Sequence, residues 1–391
     1  MPSRGLVLLL CLLLPSCDRS PRAAPAGVLE RLLTPDPVSV PPQRIAAASR
    51  LLGLAVEHER FPGGVMAIGN RDSIQAFVYA GRLTWDEDSP KPDVARTQYD
   101  LASLTKIVAT TAAVMALVED GRLRLDDPVG RYLPEFTRGD KQRVTIRHLL
   151  THTGGLRAGA EGILDVPPAR VRRFVLERPL ALEPGSDVLY SDLGFIVLWL
   201  AAERAAGEPL QNYLRRRVWS PLRMTSTRMA VPSGCAACAP TLYLQEEDTP
   251  YTGGSYDELG RRLDGISGNA GAFSTAADLA RFAGMIANEG RFGDRRVFAR
   301  ATVRAFTRVQ RGTRALGWEV YCREGIVPDQ RTCEQPYAFG HTGVTGTSLW
   351  IDPVSRTWVV LLTNRAYLPR DPEWDMQRFR RDVYEAALGL P

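Results

Sequence analysis

The apolar run from Ile107 to Val118 has to be buried on nearly every side, and a serine and a lysine stand just before it. Ser103 and Lys106 are three residues apart, so they share one face of a helix and the amine can reach the hydroxyl. The 49 lysines and arginines of the chain include only the lysines Lys91, Lys106 and Lys141. Because a buried lysine can release its proton at usable pH and arginine cannot, the pair indicates an activated serine.

The Ser-x-x-Lys pattern is weak by itself, because so short a motif occurs by chance in long chains. The alternative is a helix N-terminus with a lysine at the surface. A serine at the start of a buried helix would lie near the positive end of the helix dipole, which favours an alkoxide. The helix is predicted to end near Asp120 and Gly121, where glycine can take the left-handed conformation.

The N-terminus is typical of an exported bacterial protein. Arg4 precedes an apolar stretch, Leu6 to Leu14, that is too short to cross a bilayer. The next residues, Leu14-Pro15-Ser16-Cys17, resemble a lipobox, which implies cleavage after residue 16 and a membrane anchor through lipid on Cys17. The alternative is an ordinary cleavage site near residues 23–26. Membrane retention that survives Cys17→Ser would contradict the lipid anchor.

The chain therefore divides into three predicted parts. Residues 1–16 form the signal peptide, and residues 17–44 form a lipidated cysteine with a flexible tether rich in proline, alanine and arginine. Residues 45–391 form one folded domain, with a helical lobe at about residues 105–300. This length is enough for a large core. No oligomeric state is predicted.

Four cysteines fall within the predicted domain: Cys235, Cys238, Cys322 and Cys333. An even number in an exported protein predicts disulfides. Cys322 and Cys333 could close a hairpin-like loop. The Cys235-x-x-Cys238 pair could be a local bridge, a redox pair or half of a metal site, although no thioredoxin-like context surrounds it. Four free thiols in the denatured, unreduced protein would contradict both bridges.

Charge and motif content exclude several function classes. The net charge of +5 is spread along the chain, so nucleic acid is not an expected partner. His148 and His152 are four residues apart and could bind a metal from one helix face, but no third ligand follows at a characteristic spacing. The sequence has no Walker loop, dinucleotide fingerprint or Gly-x-Ser-x-Gly elbow. Neither a metal nor another cofactor is predicted.

Strand patterns occur at both ends of the chain, and helix patterns dominate the middle. This order predicts an α/β (α+β) fold in which N- and C-terminal strands form one antiparallel sheet flanked by helices, with a mainly helical lobe inserted between them. A site would lie in the cleft between the two parts. The predicted hairpins are 63–70 with 74–81 and 347–352 with 357–364, and the predicted helices are 144–150, 193–206, 275–288 and 375–388.

Two further segments complete a known pattern. Tyr190-Ser191-Asp192 precedes the apolar helix at Leu193, and His341-Thr342-Gly343 precedes a strand pattern. Together with Ser103-x-x-Lys106, they resemble the three motifs of class C β-lactamase-like serine hydrolases, a family that includes penicillin-binding proteins, esterases and D-alanyl-D-alanine peptidases. The resemblance extends over about residues 45–388 and includes the segments 144–156, 221–227, 270–280 and 340–348.

The resemblance implies a role for each motif residue. Ser103 would be the nucleophile that forms an acyl-enzyme, and Lys106 and Tyr190 would provide the base. The backbone N–H groups of Ser103 and Val344 would form the oxyanion hole. Asp192, His341, Thr342 and Gly343 would line the substrate site. His148 and His152 would be structural.

Two departures from the lactamase pattern bear on the substrate, which is expected to be a small molecule or a peptide. His341 replaces a lysine that would hold a substrate carboxylate, and histidine is mostly neutral near pH 7. Asp192 replaces an amide and would tend to keep Lys106 charged. We therefore expect an esterase-like hydrolase first, acting on an ester, an amide or a peptidoglycan-derived compound. A D-alanyl-D-alanine carboxypeptidase or weak β-lactamase is second, and a non-catalytic peptidoglycan-binding lipoprotein is the alternative from another class.

Overall fold

A computed structural model describes residues 28–29, 39–159, 161–245, 248–322, 333–334 and 336–389. The predicted signal peptide and Cys17 lie outside the described residues, as does most of the predicted tether. The first described helix begins at Pro42, three residues before the predicted start of the domain. Its proline at the first turn fits a helix start, because the amide it lacks would have no partner there.

The elements follow in chain order. The strands are β1 (Val28–Leu29), β2 (Gly63–Gly69), β3 (Ile74–Gly81), β4 (Tyr99–Asp100), β5 (Arg228–Met229), β6 (Leu242–Leu244), β7 (Thr249–Tyr251), β8 (Ala272–Ser274), β9 (Arg291–Phe292), β10 (Arg295–Arg296), β11 (Glu319–Cys322), β12 (Pro336–Thr342), β13 (Ser348–Ile351) and β14 (Trp358–Thr363). The α-helices are α1 (Pro42–Glu57), α2 (Ala112–Glu119), α3 (Ile146–Leu150), α4 (Val171–Glu177), α5 (Asp192–Ala206), α6 (Leu210–Leu214), α7 (Glu258–Arg262), α8 (Ala276–Ala287), α9 (Arg300–Thr307) and α10 (Met376–Leu388).

The main sheet joins the two ends of the chain, which confirms the predicted fold. Among the described residues it has seven strands in the order β1-β3-β2-β14-β13-β12-β11, and neighbouring strands are antiparallel. One face packs on α1 and α10, and the other packs on α8 and the helical lobe. In β2, Val65 belongs to the core on the lobe side and Met66 to the core under α1 and α10. A strand buried on both faces has a continuous apolar sequence, as β2 does.

The helix after Ser103 differs from the prediction in its first part. Residues Ala102–Leu104 form a 3₁₀ turn, residues Lys106–Thr111 are π-helical, and regular α-helix begins only at Ala112. Tertiary hydrogen bonds compete with the regular pattern here, since the Val108 carbonyl accepts the Trp219 indole N–H at 3.1 Å. The predicted end is correct, and Gly121 has φ of +67°.

By length and composition, the stretch Ala102–Glu119 would also pass as a membrane-spanning helix. Most of this stretch is buried inside the fold, where it packs against α5, α6 and α9. The apolar surface that a bilayer would cover is therefore covered by protein. It is the central helix of the helical lobe.

The four cysteines of the predicted domain form two disulfides, so the Cys235-x-x-Cys238 pair takes the first of its alternatives, a local bridge. Cys235 is bonded to Cys238 and Cys322 to Cys333. The second bridge starts at the last residue of β11, the edge strand beside β12. It therefore ties down the chain next to the strand that carries His341.

Candidate active site

The segment that carries Ser103 is held in a conformation that alanine rarely adopts. Ala102 has φ of +46°, which is unfavourable for a residue with a Cβ. The buried carboxylate of Asp100 holds this turn by accepting the N–H of Ala102 at 2.8 Å and that of Tyr256 at 2.5 Å. Burial raises the pKa of Asp100 to about 6, although these two N–H groups oppose the rise. Asp100 thus holds the turn that places Ser103, a role that the sequence did not reveal.

Lys106 lies directly beneath the serine and is fully buried. Its Nζ donates to Ser103 Oγ at 3.0 Å, to Asp192 Oδ1 at 2.6 Å and to the Asn269 carbonyl at 3.2 Å. Burial alone would lower the pKa of Lys106, but Tyr190 and Asp192 outweigh it and raise the pKa. Three acceptors around one buried amine fit an ammonium ion. Asp192 therefore does face Lys106 and keeps it charged.

Tyr190 approaches Ser103 from the helical lobe. Its hydroxyl donates to Ser103 Oγ at 3.0 Å, and its ring centroid lies 4.9 Å from Lys106 Nζ. Ser191 fixes the following helix by accepting the N–H of Gly194 at 2.9 Å. The Ser191 N–H in turn donates to His152 Nδ1 at 3.0 Å. Tyr190 is thus held just before the N-terminus of α5.

His148 and His152 each accept a hydrogen bond from a backbone N–H group. His152 is buried with its ring centroid 4.5 Å from that of Tyr190, and burial lowers its pKa well below the usual value. His148 accepts the N–H of Thr145 in the capping box of α3. These contacts agree with the structural role expected for both. Among the described residues, no group of three or more His, Cys, Asp or Glu side chains is placed to hold a metal ion.

A second loop closes over the serine from the end of β12. Thr345 Oγ1 donates to the Asp100 carbonyl at 2.8 Å, and Thr347 Oγ1 donates to the Leu101 carbonyl at 2.9 Å. A Cβ on Gly343 would overlap both Thr347 Oγ1 and the Leu101 carbonyl, so only glycine fits there. The predicted oxyanion donors, the N–H groups of Ser103 and Val344, thus lie on two loops that hydrogen bonds hold together.

This arrangement matches a known family along most of the chain. The family model described as Beta-lactamase matches residues 48–381. The chain belongs to the beta-lactamase family. An Escherichia coli K12 protein named "Putative D-alanyl-D-alanine carboxypeptidase" is 30% identical over 336 residues, which cover 78% of this chain and 77% of that protein.

Solved structures share the beta-lactamase fold at lower identity. EstCE1, described as "a hydrolase with promiscuous acyltransferase activity", has a TM-score of 0.68 and 24% identity, covering 88% of this chain and 98% of its own. A class C beta-lactamase from Rhodobacter sphaeroides has a TM-score of 0.68 and 22% identity, covering 88% and 99%. A penicillin-binding protein homologue from Caulobacter crescentus has a TM-score of 0.69 and 21% identity, covering 89% and 98%. At these identities the structures show the fold alone.

His341 is the main departure from the lactamase pattern in this beta-lactamase-family chain. Its side chain is buried, with its ring centroid 6.1 Å from that of Tyr190. Burial, followed by the charge on Lys106, lowers the pKa of His341 to about 3. Its Nδ1 accepts the Thr342 N–H at 3.0 Å, and its Nε2 has no partner among the described residues. A neutral imidazole therefore stands where the pattern has a cation.

We expect His341→Gln to reduce the pH dependence of the free energy of unfolding. The native-state pKa lies below the unfolded value of about 6.5, so the stabilisation is complete above pH 6.5 and is lost as pH falls towards 3. Between pH 7.5 and pH 5 this one histidine should cost wild type about 2 kcal/mol. Urea unfolding at both pH values measures the difference. His58→Gln, at an exposed histidine, is the matched control, and an equal pH dependence in both variants would contradict a neutral His341.

The cleft beside Ser103 contains cations that the motifs do not include. It encloses about 480 Å³ and is lined by Ser103, Tyr190, His341, Thr342, Gly343 and Val344, with the charged residues Arg314, Glu319, Arg365, Asp375 and Arg380. The Arg314 guanidinium lies 5.5 Å from the Tyr190 ring centroid and has no acidic partner among the described residues. In a chain so rich in arginine, residue type alone could not single out Arg314.

Proposed function

We propose that this beta-lactamase-family chain is a serine hydrolase that works through an acyl-enzyme at Ser103. One observation carries the proposal: Lys106 Nζ and Tyr190 Oη both lie 3.0 Å from Ser103 Oγ. A serine hydroxyl needs an adjacent base to become a nucleophile, and these are the groups in reach. Retention of all three side chains argues against a non-catalytic binding protein.

The chemistry follows from the charge on Lys106. Tyr190 acts as the base beside the Lys106 ammonium, and it takes the proton as Ser103 Oγ bonds to the substrate carbonyl carbon. The bond to the leaving group then breaks, and Tyr190 passes it the proton. In the second half, water bonds to the acyl carbonyl carbon and gives a proton to Tyr190. The bond from that carbon to Ser103 Oγ then breaks, and Tyr190 returns the proton to Oγ. The N–H groups of Ser103 and Val344 would stabilise the oxyanion in both halves.

An ester is the substrate class that we favour. The neutral, buried His341 offers no positive charge to a substrate carboxylate, whereas an ester without a carboxylate needs none. The resemblance of the fold to EstCE1 is compatible with this choice. Esters are also more reactive than amides, so they place the smallest demand on the base.

A carboxypeptidase is the second candidate, and Arg314 is the observation that favours it. Its guanidinium borders the cleft without an acidic partner among the described residues, and a guanidinium binds a carboxylate with two hydrogen bonds. The relatives named as D-alanyl-D-alanine carboxypeptidases agree with this alternative. Arg314 could therefore supply the charge that His341 does not.

Labelling and a substrate panel test these proposals on the wild-type protein. A fluorophosphonate probe should label the protein, and absence of labelling in folded protein would overturn the enzyme proposal. A short-chain nitrophenyl ester, a peptide ending in D-Ala-D-Ala and a chromogenic cephalosporin then separate the activities. We expect the highest kcat/KM for the ester. Strong cephalosporin turnover would show that the inference from His341 is wrong.

Arg314→Gln distinguishes the two candidates. If Arg314 binds a substrate carboxylate, kcat/KM for the D-Ala-D-Ala peptide should fall about 10- to 100-fold, while turnover of the neutral ester changes little. Arg308→Gln removes an exposed arginine that does not line the cleft and is the matched control. An equal loss on both substrates would rule out carboxylate recognition by Arg314.

We also propose that the enzyme is held in the bacterial envelope by lipid on Cys17. The predicted export signal supports this location, and the curated relative named above is from Escherichia coli. Cys17 lies outside the described residues, so the support comes from the sequence pattern. Membrane fractionation of Cys17→Ser is the direct test.

A further inference from the structure

Arg380 is a buried arginine with an unusual set of partners. It lies on α10 and is 3% exposed, among apolar residues of the same helix such as Phe379 and Val383. Its Nη2 donates to the carbonyls of Gly343 and Thr347, the latter at 3.1 Å, and its Nη1 donates to Gln377 Oε1 at 3.3 Å. No acidic side chain forms an ion pair with it in the part of the chain that the structure describes. Burial lowers the pKa of Arg380.

Burying a guanidinium without a carboxylate partner costs free energy of folding. The two carbonyls that accept from Arg380 in place of a carboxylate therefore suggest a role for the charge. An uncharged side chain could fill the same space on an apolar helix face more cheaply. The two carbonyls belong to the first and last residues of the loop that closes over Ser103. The charge is thus placed against the loop that carries Val344.

The Gly343 carbonyl and the Val344 N–H belong to the same peptide group. In a trans peptide these two bonds point in opposite directions. Two donors hold this carbonyl, the Gly346 N–H at 3.0 Å and Arg380 Nη2, and the one on α10 turns the Val344 N–H away from α10. A positive charge on the carbonyl oxygen also polarises the whole peptide group and makes its N–H a stronger donor.

We propose that Arg380 is a positioning residue that orients and polarises the Gly343–Val344 peptide, so that the Val344 N–H serves as an oxyanion donor. The inference rests on the proposed acyl-enzyme function. Arg380 acts through the peptide and not on the substrate, although part of its side chain borders the cleft. Thr347 links Arg380 to the serine segment, because its carbonyl accepts from Arg380 and its hydroxyl donates to the Leu101 carbonyl.

A direct role in substrate binding and a purely structural role predict different results. Loss of a substrate contact would raise KM and leave kcat nearly unchanged. Loss of packing alone would lower the unfolding midpoint without changing the chemical step. Loss of an oriented oxyanion donor would lower kcat, because the donor acts mainly in the transition state.

The test compares Arg380→Gln and Arg380→Lys with Arg381→Gln, which removes a charge from an exposed position on the same helix. Complete removal of an oxyanion donor costs about 10²- to 10³-fold in kcat, so disordering one should cost Arg380→Gln about 10- to 100-fold, with KM within about threefold. Arg380→Lys keeps the positive charge and can still donate a hydrogen bond, but it lacks the planar guanidinium. It should therefore recover part of kcat. Arg381→Gln should match wild type.

A spectroscopic signature completes the test. In an acyl-enzyme formed from a bulky, slowly released ester, the infrared band of the acyl carbonyl reports hydrogen bonding in the oxyanion hole. We expect this band at higher wavenumber in Arg380→Gln than in wild type, with Arg380→Lys between them. If Arg380→Gln does not fold, Arg380→Lys alone still decides, because an unchanged band and kcat in that folded variant would overturn the inference.

The outcomes distinguish a failure of the proposed function from a failure of the role proposed for Arg380. Absence of fluorophosphonate labelling in wild type would overturn the proposed function and this inference with it. Labelled wild type together with an unchanged kcat and carbonyl band in Arg380→Gln would overturn the inference alone. A change in KM only would assign Arg380 to substrate binding and would also overturn it.

Discussion

Ser103→Ala is expected to abolish ester turnover, with a loss of about 10⁴- to 10⁶-fold in kcat, the range seen when the nucleophile of a serine hydrolase is removed. The reason is geometric. Lys106 Nζ and Tyr190 Oη both lie 3.0 Å from the hydroxyl of Ser103, the proposed nucleophile, and Ser103→Ala removes that hydroxyl. The measurement is steady-state hydrolysis of a nitrophenyl ester, together with fluorophosphonate labelling of the variant.

The control for Ser103→Ala is the same substitution at an exposed serine. Ser186→Ala should retain wild-type activity, because among the described residues Ser186 Oγ bonds only to the Glu183 carbonyl on the surface. Circular dichroism and thermal unfolding check that both variants fold. The residual activity expected for Ser103→Ala is far below about one per cent. If the variant kept more than about one per cent of wild-type turnover, the nucleophile would have to be another side chain.

The hairpins of the main sheet could be predicted because their signal is local. The turns at Arg71-Asp72 and at 353–356 interrupt runs of apolar residues, and the strands follow at nearly the predicted positions. The N-cap of α8 also depends on a residue next to the helix. Thr275 accepts the N–H of Asp278 at 3.2 Å, as a helix N-cap should.

The helix after Ser103 could not be predicted in detail, because its sequence is apolar on every side. A helix without a polar face has no hydrophobic periodicity, so the sequence cannot show where 3₁₀, π and α geometry follow one another. That change depends on tertiary bonds, such as the one from the Trp219 indole to the Val108 carbonyl. Such π-helical turns are frequent at functional sites.

The motif residues could be predicted, whereas the residues that support them could not. Ser103, Lys106 and Tyr190 stand in recognisable patterns, and the structure brings their reactive atoms together. Asp100, Arg314 and Arg380 stand in no motif. Their roles arise from contacts with residues distant in sequence, and a charge that touches a backbone carbonyl leaves no pattern along the chain.

Lys106→Met should lower kcat for the ester about 10³- to 10⁴-fold, because it removes the buried cation that lies against both Ser103 Oγ and the Tyr190 ring. Methionine is unbranched and apolar, so it fills the buried space. Lys91→Met is the matched control at an exposed lysine and should match wild type. A loss below about tenfold in Lys106→Met would show that Tyr190 acts without the lysine.

The same position also distinguishes an ammonium from a neutral base. Arginine cannot release its proton, so Lys106→Arg would be as inactive as Lys106→Met if Lys106 had to accept a proton itself. If Lys106 acts as an ammonium, as its bond of 2.6 Å to Asp192 indicates, Lys106→Arg should retain at least tenfold more activity than Lys106→Met. Removing the lysine leaves the Asp192 carboxylate unpaired and can destabilise the fold. Lys106→Met combined with Asp192→Asn removes both charges, and its kcat should stay as low as that of Lys106→Met while its unfolding midpoint recovers.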